Sequence, residues 1–295
     1  MRVLTVIAGL APFTLLVAAP AAAQVAEAAP PDAGASATQA EMAQGGDSIT
    51  LGVGAAYLTD YEGSDDYRFA PAPGAIGSFR GFNFTLAGNR LSVDLIPDGR
   101  GPTFDVQAGP IAVVNFNRTN TKSIDDPRVK ALGEIDTAIE LGGYVGIGKT
   151  GIITSDYDRL SVSLSYRHDV AGAYKGSIWQ PTVNYLTPLS RRSAVGLFLS
   201  AEHASDRYAR TYFSIDAPGS LASTLPVYNA RGGWKNYTIG ALGTVSLTGD
   251  LLHGFKLVGG ATYKRMLNDF ADSPVVSIAG SRNQWLGVLG VAYTF

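Results

Sequence analysis

Large apolar side chains alternate with small or polar ones along most of the chain after Ser48. The segment 160–167 reads LSVSLSYR, and the segments 193–203 and 237–247 follow the same rule. Successive side chains of a β-strand point to opposite faces, so a period of two predicts strands with one apolar face. The other face carries Ser, Thr, Gly and Asn rather than the Lys and Glu of a water-facing sheet. This combination is typical of a membrane barrel, whose interior is small and polar.

The alternation predicts an all-β fold, a single antiparallel transmembrane β-barrel of about twelve strands, with ten as the alternative. The strands are predicted at 48–58, 71–79, 82–87, 90–96, 103–116, 137–148, 158–168, 177–187, 193–203, 235–247, 255–266 and 284–295. An even number of strands returns both ends of the barrel to the same side of the membrane. Closure also leaves no unpaired edge strand in lipid.

The predicted connections alternate between two kinds along the chain. Those on one side of the barrel fall at 59–70, 88–89, 117–136, 169–176, 204–234 and 267–283. Those on the other side fall at 80–81, 97–102, 149–157, 188–192 and 248–254. Four of the first six are long and all of the others are short. Outer-membrane barrels have this asymmetry, with long extracellular loops and short periplasmic turns.

The composition excludes several other classes of protein. Charged residues make up only 16% of the 295 positions, against roughly 25% in soluble domains. After the N-terminus no continuous apolar run is long enough for a bundle of transmembrane helices. The net charge of -2 offers no basic surface for nucleic acid. The absence of cysteine excludes thiolate metal sites and lipidation, and we expect neither a metal nor a cofactor.

The N-terminus is predicted to be a signal peptide at 1–23. Arg2 supplies the positive charge, Val3 to Val17 the apolar segment, and Ala21-Ala22-Ala23 the small residues of a cleavage site. Residues 24–47 are rich in Ala, Pro, Gln and Gly and predict a disordered periplasmic tail. The barrel then occupies 48–295, and the expected location is the outer membrane of a Gram-negative cell.

One segment matches a nucleotide-binding pattern. Gly143 to Thr150 fits the G-x-x-x-x-G-K-[ST] spacing of a phosphate-binding loop. Such a loop needs a following helix, whose first amide groups surround the phosphates. The residues after Thr150 lack helical period, so a glycine-rich strand end and turn are expected instead.

Six charged residues fall on the inward-facing side of predicted strands. They are Asp105, Glu140, Arg167, Glu202, Lys256 and Lys264. Charges within a membrane must pair with each other or face water. These residues therefore either form a closed ion-pair network that plugs the barrel or line a narrow channel, and both alternatives stay open.

Two histidines lie beside acids at predicted outer strand ends, in His168-Asp169 and Glu202-His203. Barrel hydrolases keep their acid–base groups at such positions, so a hydrolase active at the rim is a remote alternative. No serine lies in a nucleophile-elbow sequence. We therefore expect no catalytic residues and no enzyme activity.

The first outer loop is acidic, with Asp60, Glu62, Asp65 and Asp66 close together. A divalent cation bridging lipopolysaccharide phosphates is one interpretation, but the spacing fits no calcium-binding loop. A loop in contact with water is the expected arrangement.

Three motifs resemble the MipA/OmpV outer-membrane family. The first is Asp60 to Tyr67 followed by Pro71-Ala72-Pro73, and the second is Pro226 to Gly233. The third is Tyr263 to Val276, which contains the specific D-x-A-D-S-P-[VI]-V segment and precedes a strand ending in an aromatic residue. The motif residues in the loops are Tyr61, Gly63, Ser64, Asp65, Asp272, Ser273 and Pro274. Tyr293 and Phe295 resemble the signal read by the outer-membrane assembly machinery.

The resemblance implies an outer-membrane barrel among lipid and lipopolysaccharide. One branch of the family acts as a scaffold that joins a lytic transglycosylase to a penicillin-binding murein synthase; other branches are adhesins, immunogens or osmotic-response proteins. This chain departs from the common pattern by an extra Asp216-Ala217-Pro218-Gly219 stretch. The first hypothesis is a non-enzymatic scaffold that binds murein enzymes through the short turns or the 24–47 tail. The alternative is a narrow channel for small solutes.

Overall fold

The computed structural model describes residues 47–97 and 104–295. The predicted signal peptide and all but Asp47 of the predicted tail lie outside the described residues, as do residues 98–103 in one predicted turn.

The described chain forms a closed barrel of twelve antiparallel strands, each paired with its neighbours in sequence. The strands are β1 (Ser48–Thr59), β2 (Tyr67–Phe79), β3 (Phe82–Ala87), β4 (Arg90–Asp94), β5 (Phe104–Asn115), β6 (Ala138–Thr150), β7 (Arg159–Asp169), β8 (Ser177–Ser190), β9 (Ser193–Ala204), β10 (Gly233–Ser246), β11 (Gly254–Met266) and β12 (Asn283–Thr294). β1 pairs with β12 and closes the sheet. At this seam the buried hydroxyl oxygens of Thr50 and Thr294 lie 2.7 Å apart.

The predicted strand number and order are confirmed, and most predicted ends lie within two residues of the observed ones. The main difference is β2, which begins at Tyr67 rather than at residue 71. The prolines at 71 and 73 suggested a loop before the strand, yet Pro71 pairs with Ala55 in register with β1. The glycine-rich segment that matches a phosphate-binding loop is strand β6 up to Thr150.

The two ends of the barrel differ as predicted. The connections at one end, here called the loop end, include segments 116–137 and 205–232; the connections at the other, the turn end, are short. β2 and β3 are joined at the turn end by Arg80 and Gly81, both with positive φ (53° and 84°). That backbone matches a type I′ hairpin turn, whose twist suits the flanking strands.

The outward face of the barrel is apolar and carries aromatic rings near both ends. Near the loop end these are Tyr57, Tyr166, Trp179, Tyr237, Tyr263 and Trp285, and several stack on neighbours, such as Tyr263 and Trp285 at 5.0 Å between ring centroids. Near the turn end the rings of Phe255 and Tyr293 are 4.8 Å apart. Along β11, eight residues separate Tyr263 from Phe255, which at about 3.4 Å per residue and a barrel tilt of about 40° spans roughly 20 Å. The barrel is therefore built to cross a lipid bilayer.

The long loops contain short helices that the sequence analysis did not predict. Besides a 3₁₀ turn at Thr121–Ser123, they are α1 (Pro127–Ala131), α2 (Asp206–Phe213), α3 (Ala217–Ser223), α4 (Asn268–Asp272) and α5 (Pro274–Ser277). In the part of the chain that the structure describes, no helix has the length and apolar character needed to cross a membrane. These helices and their loops fold over the barrel mouth, and we call them the cap (residues 60–66, 116–137, 170–176, 205–232 and 267–282).

Candidate functional site

The cap has its own hydrophobic core. In a first cluster, Tyr208, Tyr212 and Phe213 of α2 pack against Phe270 of α4 and Tyr174 of the β7–β8 loop. The Phe213 and Phe270 rings meet edge to face at 5.2 Å, a favoured aromatic arrangement. A second cluster joins Tyr61, Ile124, Val129, Ile215, Leu225, Val275 and Ala279 from four loops. These loops are thus packed together like the interior of a soluble domain.

The first and third family motifs clamp each other inside this cap. The Tyr61 hydroxyl donates hydrogen bonds to the carbonyl oxygens of Val275, at 3.2 Å, and Ala279. Gly63 has φ 103°, and a Cβ there would lie 2.5 Å from a methyl group of Val276. Gly280 fits as tightly, because a Cβ would lie 1.9 Å from the Gly63 carbonyl oxygen. The glycines are therefore required by the close approach of the two loops.

The third motif also holds α2 in place. The buried Ser273 hydroxyl donates to the carbonyl oxygen of Phe213 at 2.7 Å. Its oxygen also accepts from the Val275 amide at the start of α5, while Pro274 occupies the first helical position, where its missing N–H costs nothing. Asp272, which is more exposed, pairs with Arg282 at 2.6 Å. Asp65, the remaining motif acid of the first loop, is exposed.

A network of buried charges lies directly beneath the cap. The Arg167 guanidinium contacts Glu140 at 2.5 Å and Glu202 at 2.6 Å. The Lys235 ammonium lies 2.8 Å from the second oxygen of Glu202 and 2.9 Å from Glu62 of the first loop. Strands β6, β7, β9 and β10 are thereby linked to the cap through their side chains.

Neutral groups complete the network. The Tyr208 hydroxyl of α2 donates to Glu62 at 2.7 Å, and Lys235 donates to the same hydroxyl at 3.2 Å. The Gln180 amide oxygen accepts from Arg167 at 2.7 Å and from Arg90 at 2.9 Å. A buried carboxylate needs donors such as the Tyr208 hydroxyl, because an unpaired buried charge is strongly unfavourable.

Of the six charged residues predicted inside the barrel, four belong to this network. Glu140, Arg167 and Glu202 form its centre, and Lys264 lies 3.6 Å from Glu62. The other two lie elsewhere, at the turn end: Asp105 pairs with Arg159, and Lys256 donates to the Leu251 carbonyl oxygen. The loop-end network favours the plug among the two alternatives that the sequence left open.

Sequence reasoning missed Glu62 and Lys235, which join cap and barrel. Glu62 was expected in a loop exposed to water, but it is buried, and that expectation is wrong. Lys235 was missed because a register irregularity between Trp234 and Asn236 places both Lys235 and Asn236 inside the barrel. A strict period of two cannot show such an irregularity.

The acidic first loop is mostly buried rather than solvated. Oxygens of Asp60, Asp66 and Asp125 lie within 4.8 Å of one another, and Asp60 accepts from the Asp125 amide at 2.8 Å. Burial raises the pKa of the Asp60 carboxyl above its ordinary value, although hydrogen bonds from Ser64 and Asp125 oppose this shift. Burial likewise raises the pKa of the Tyr61 phenol, which keeps that hydroxyl a donor.

The two histidines of the hydrolase alternative face outward. His168 is exposed on β7, and the His203 ring packs edge to face on Trp234 at 5.5 Å. Their neighbours Arg167 and Glu202 point inward, as alternation along a strand requires. The structure therefore separates these imidazoles from the buried carboxylates by the barrel wall.

At the turn end, the β6–β7 connection (residues 151–158) is held by hydrogen bonds to one buried carboxylate. The buried Asp158 carboxylate accepts from the amides of Ile152, Ile153 and Thr154 at 2.7, 2.9 and 2.6 Å. Burial acts to raise the pKa of Asp158, but these bonds and one from the Tyr185 hydroxyl outweigh it and hold that pKa well below its ordinary value. The turn exposes 65% of Ile153 and 60% of Tyr157. The turn therefore presents two large apolar side chains beyond the ends of the strands.

A protein-family model described as MltA-interacting protein MipA matches residues 51–295. Among curated proteins, no sequence matches the chain.

Several solved structures are similar over most of their length. They include the outer membrane channel DcaP of Acinetobacter baumannii (TM-score 0.38, 10% identity, 85% of this chain and 96% of that one). The Pseudomonas putida toluene transporter TodX has TM-score 0.39 and 9% identity over 87% of this chain and 92% of its own. A Pseudomonas aeruginosa FadL homologue has TM-score 0.34 and 13% identity over 91% and 95%. Similarity this low establishes no shared function.

Proposed function

The chain belongs to the MltA-interacting protein MipA family, and from this premise we propose that it is a non-enzymatic outer-membrane barrel that holds murein enzymes at the inner face of the outer membrane. The partners would be a lytic transglycosylase and a penicillin-binding murein synthase. Both act in the periplasm, so a scaffold must offer its binding surface at the turn end.

The observation that carries this proposal is the hydrogen-bonded turn at residues 151–158, which exposes large apolar side chains. Its Ile153 and Tyr157 side chains are largely exposed at the end of the barrel assigned to the periplasm. Because Asp158 already fixes the backbone through three amide groups, little conformational entropy is lost when a partner binds. A preorganised pair of isoleucine and tyrosine suits the apolar centre of a protein–protein interface.

The closed loop end supports the same proposal. Two packed hydrophobic clusters and a buried ion-pair network cover the barrel mouth. A barrel whose mouth is covered in this way is better suited to act as a scaffold in the membrane than as an open channel. Residues of the first and third motifs then stabilise the cap, and the surface that binds the partner lies at the opposite end of the barrel.

The experiment measures binding of the folded, detergent-solubilised barrel to a purified lytic transglycosylase and to a purified penicillin-binding murein synthase. The variant I153S/Y157S removes the apolar side chains and leaves the Asp158 hydrogen bonds in place. We expect the dissociation constant to rise by at least about tenfold, as for loss of an interface hot spot. A form lacking residues 24–47 tests the contribution of the predicted tail.

The matched control is L221S, which removes an apolar side chain that is 87% exposed in the cap at the other end. Binding unchanged by L221S and weakened by I153S/Y157S supports the turn as the interface. Equal weakening by both variants contradicts it, and absence of saturable binding at micromolar protein refutes the scaffold function for this chain.

A narrow channel is the second candidate, favoured by the polar inner wall of the barrel. Below the network, β7 directs Ser161, Ser163 and Ser165 inward, opposite Thr182 and Asn184 of β8. Conduction requires the cap to open, so planar-bilayer recordings should show no steady current at rest but current in a variant that loosens the cap. A silent bilayer for both proteins removes this candidate.

A further inference from the structure

A groove lies on the lipid-facing surface across strands β9 to β12. It has a volume of about 520 Å³, and its outward walls are Leu197, Ile239, Ala241, Ala261, Tyr263 and Trp285. Ala241 and Ala261 are directly opposite each other in register, and the next pair on the same face towards the turn end is Gly243 and Gly259. The small side chains of the two alanines leave a depression between the larger lining residues.

The groove has a polar rim on its loop-end side. Tyr263 and Trp285 pack side by side there, with ring centroids 5.0 Å apart. Two residues further along the same face of β11 is the exposed Arg265, whose guanidinium donates to the Asn283 amide oxygen at 3.3 Å. Along one line, therefore, the surface changes from an apolar depression through aromatic rings to a cation and an amide.

We propose that this groove binds a phosphorylated acyl glycolipid of the lipid A type, from the leaflet at the loop end. An acyl chain fills the depression between Leu197 and Trp285, where it covers apolar surface. Arg265 binds a phosphate, because a guanidinium is the side chain best matched to phosphate oxygens. Asn283 beside it offers an amide for sugar hydroxyls.

The position of the groove argues for lipid rather than for a second barrel. Trp and Tyr rings mark the depth of the lipid headgroups, and the groove runs from those rings towards the bilayer centre. A cation beyond the rings lies at the depth of lipid phosphates, whereas two copies of this face would bring two Arg265 guanidinium groups together. The long loops place this leaflet on the outside, where phosphorylated glycolipid is the anionic lipid.

The test titrates the refolded full barrel with lipid A, and separately with phosphatidylglycerol and with inorganic phosphate, and follows the complexes by native mass spectrometry. The variant A241L/A261L fills the groove, and R265Q removes the cation. We expect each to weaken lipid A binding by about tenfold, the loss that one charge-assisted hydrogen bond accounts for in R265Q. Trp285 fluorescence, in a variant with Trp179 and Trp234 changed to Phe, should be quenched by brominated acyl chains in wild type and less in A241L/A261L.

Two controls separate a specific site from general lipid adhesion. A112L adds one leucine to β5 on the opposite wall of the barrel, and K149Q removes an outward cation at the turn end. Binding that falls in the groove variants and not in A112L or K149Q supports the site. Equal losses in the controls, equal affinity for phosphatidylglycerol, binding of inorganic phosphate alone, or a dimer in place of a lipid complex would each overturn it.

Discussion

Lys235 is the side chain whose removal tests the structure most directly. Its ammonium is completely buried and lies 2.9 Å from Glu62, 2.8 Å from Glu202 and 3.2 Å from the Tyr208 hydroxyl. The substitution K235M keeps much of the volume and removes the charge. Glu62 then keeps its contacts with the Tyr208 hydroxyl and with the more distant Lys264, at 3.6 Å.

The expected loss of stability follows from the charge imbalance that K235M leaves in the network. Among the groups joined by these salt bridges, three carboxylates (Glu62, Glu140 and Glu202) face three cations (Arg167, Lys235 and Lys264), so K235M leaves one excess negative charge among them. Removing one partner of a buried pair costs about 3–5 kcal/mol. Because Glu202 keeps its contact with Arg167, we expect the lower end, about 3 kcal/mol. E62Q/K235M restores neutrality and should recover at least about 1.5 kcal/mol of coupling free energy.

The assay is urea unfolding of barrels refolded in liposomes, combined with the rate of trypsin cleavage in the cap. Trypsin reports the cap because Arg207 and Arg210 lie on α2. K256M is the matched control, since Lys256 is also buried but contacts Leu251 at the turn end. K235M should speed cap cleavage and K256M should not. Additivity of E62Q and K235M within about 0.5 kcal/mol, or equal cleavage of the two lysine variants, would refute the argument.

Three further predictions concern the clamp, the turn and the seam. G280A should destabilise the cap by about 1–3 kcal/mol through overpacking against the Gly63 carbonyl, whereas G287A, where a Cβ meets nothing within 4 Å, should leave the urea midpoint unchanged; equal effects would contradict the clamp. The pKa of Asp158 is lower in the fold than in the unfolded chain, so its contribution to stability is present at neutral pH and lost as the pH falls below about 4. D158N should therefore lower the urea midpoint at pH 7, with a smaller difference from wild type at pH 3. A difference that does not depend on pH would contradict the lowered pKa of Asp158. T294V removes the hydroxyl hydrogen bond across the seam and should destabilise the pairing of β1 with β12 by about 1 kcal/mol. Amide hydrogen exchange should become faster in β1 and stay unchanged in β7. Faster exchange in both strands would contradict a local effect.

Most of the barrel could be predicted from the sequence because its physics is local. Alternation along each strand decides which side chains meet lipid, and the lengths of the connections decide which end carries the loops. β8 extends to Ser190 beyond its predicted end because a register irregularity at Pro188 keeps the strand paired, which alternation cannot show.

The cap could not be predicted in the same way, because its order comes from contacts between loops far apart in sequence. One local signal was available: Tyr208 and Tyr212 are four residues apart, the spacing of a buried helix face, directly after Ser205. The burial of Glu62 had no such signal, since it depends on Lys235 and Lys264, about 170 to 200 positions away along the chain. The motif residues were found by resemblance, while their mutual packing emerged only from the fold.

The pairing of β1 with β12 has a kinetic consequence. Every other strand pair joins neighbours in sequence, but the seam joins strands at opposite ends of the barrel sequence. Bringing such distant segments together carries the largest loop-closure entropy of any pairing in the fold, so the seam should form last during assembly. Until it does, both β1 and β12 have an open edge that can pair with another chain. The period before closure is therefore when the barrel depends most on a chaperone or assembly factor that covers those edges.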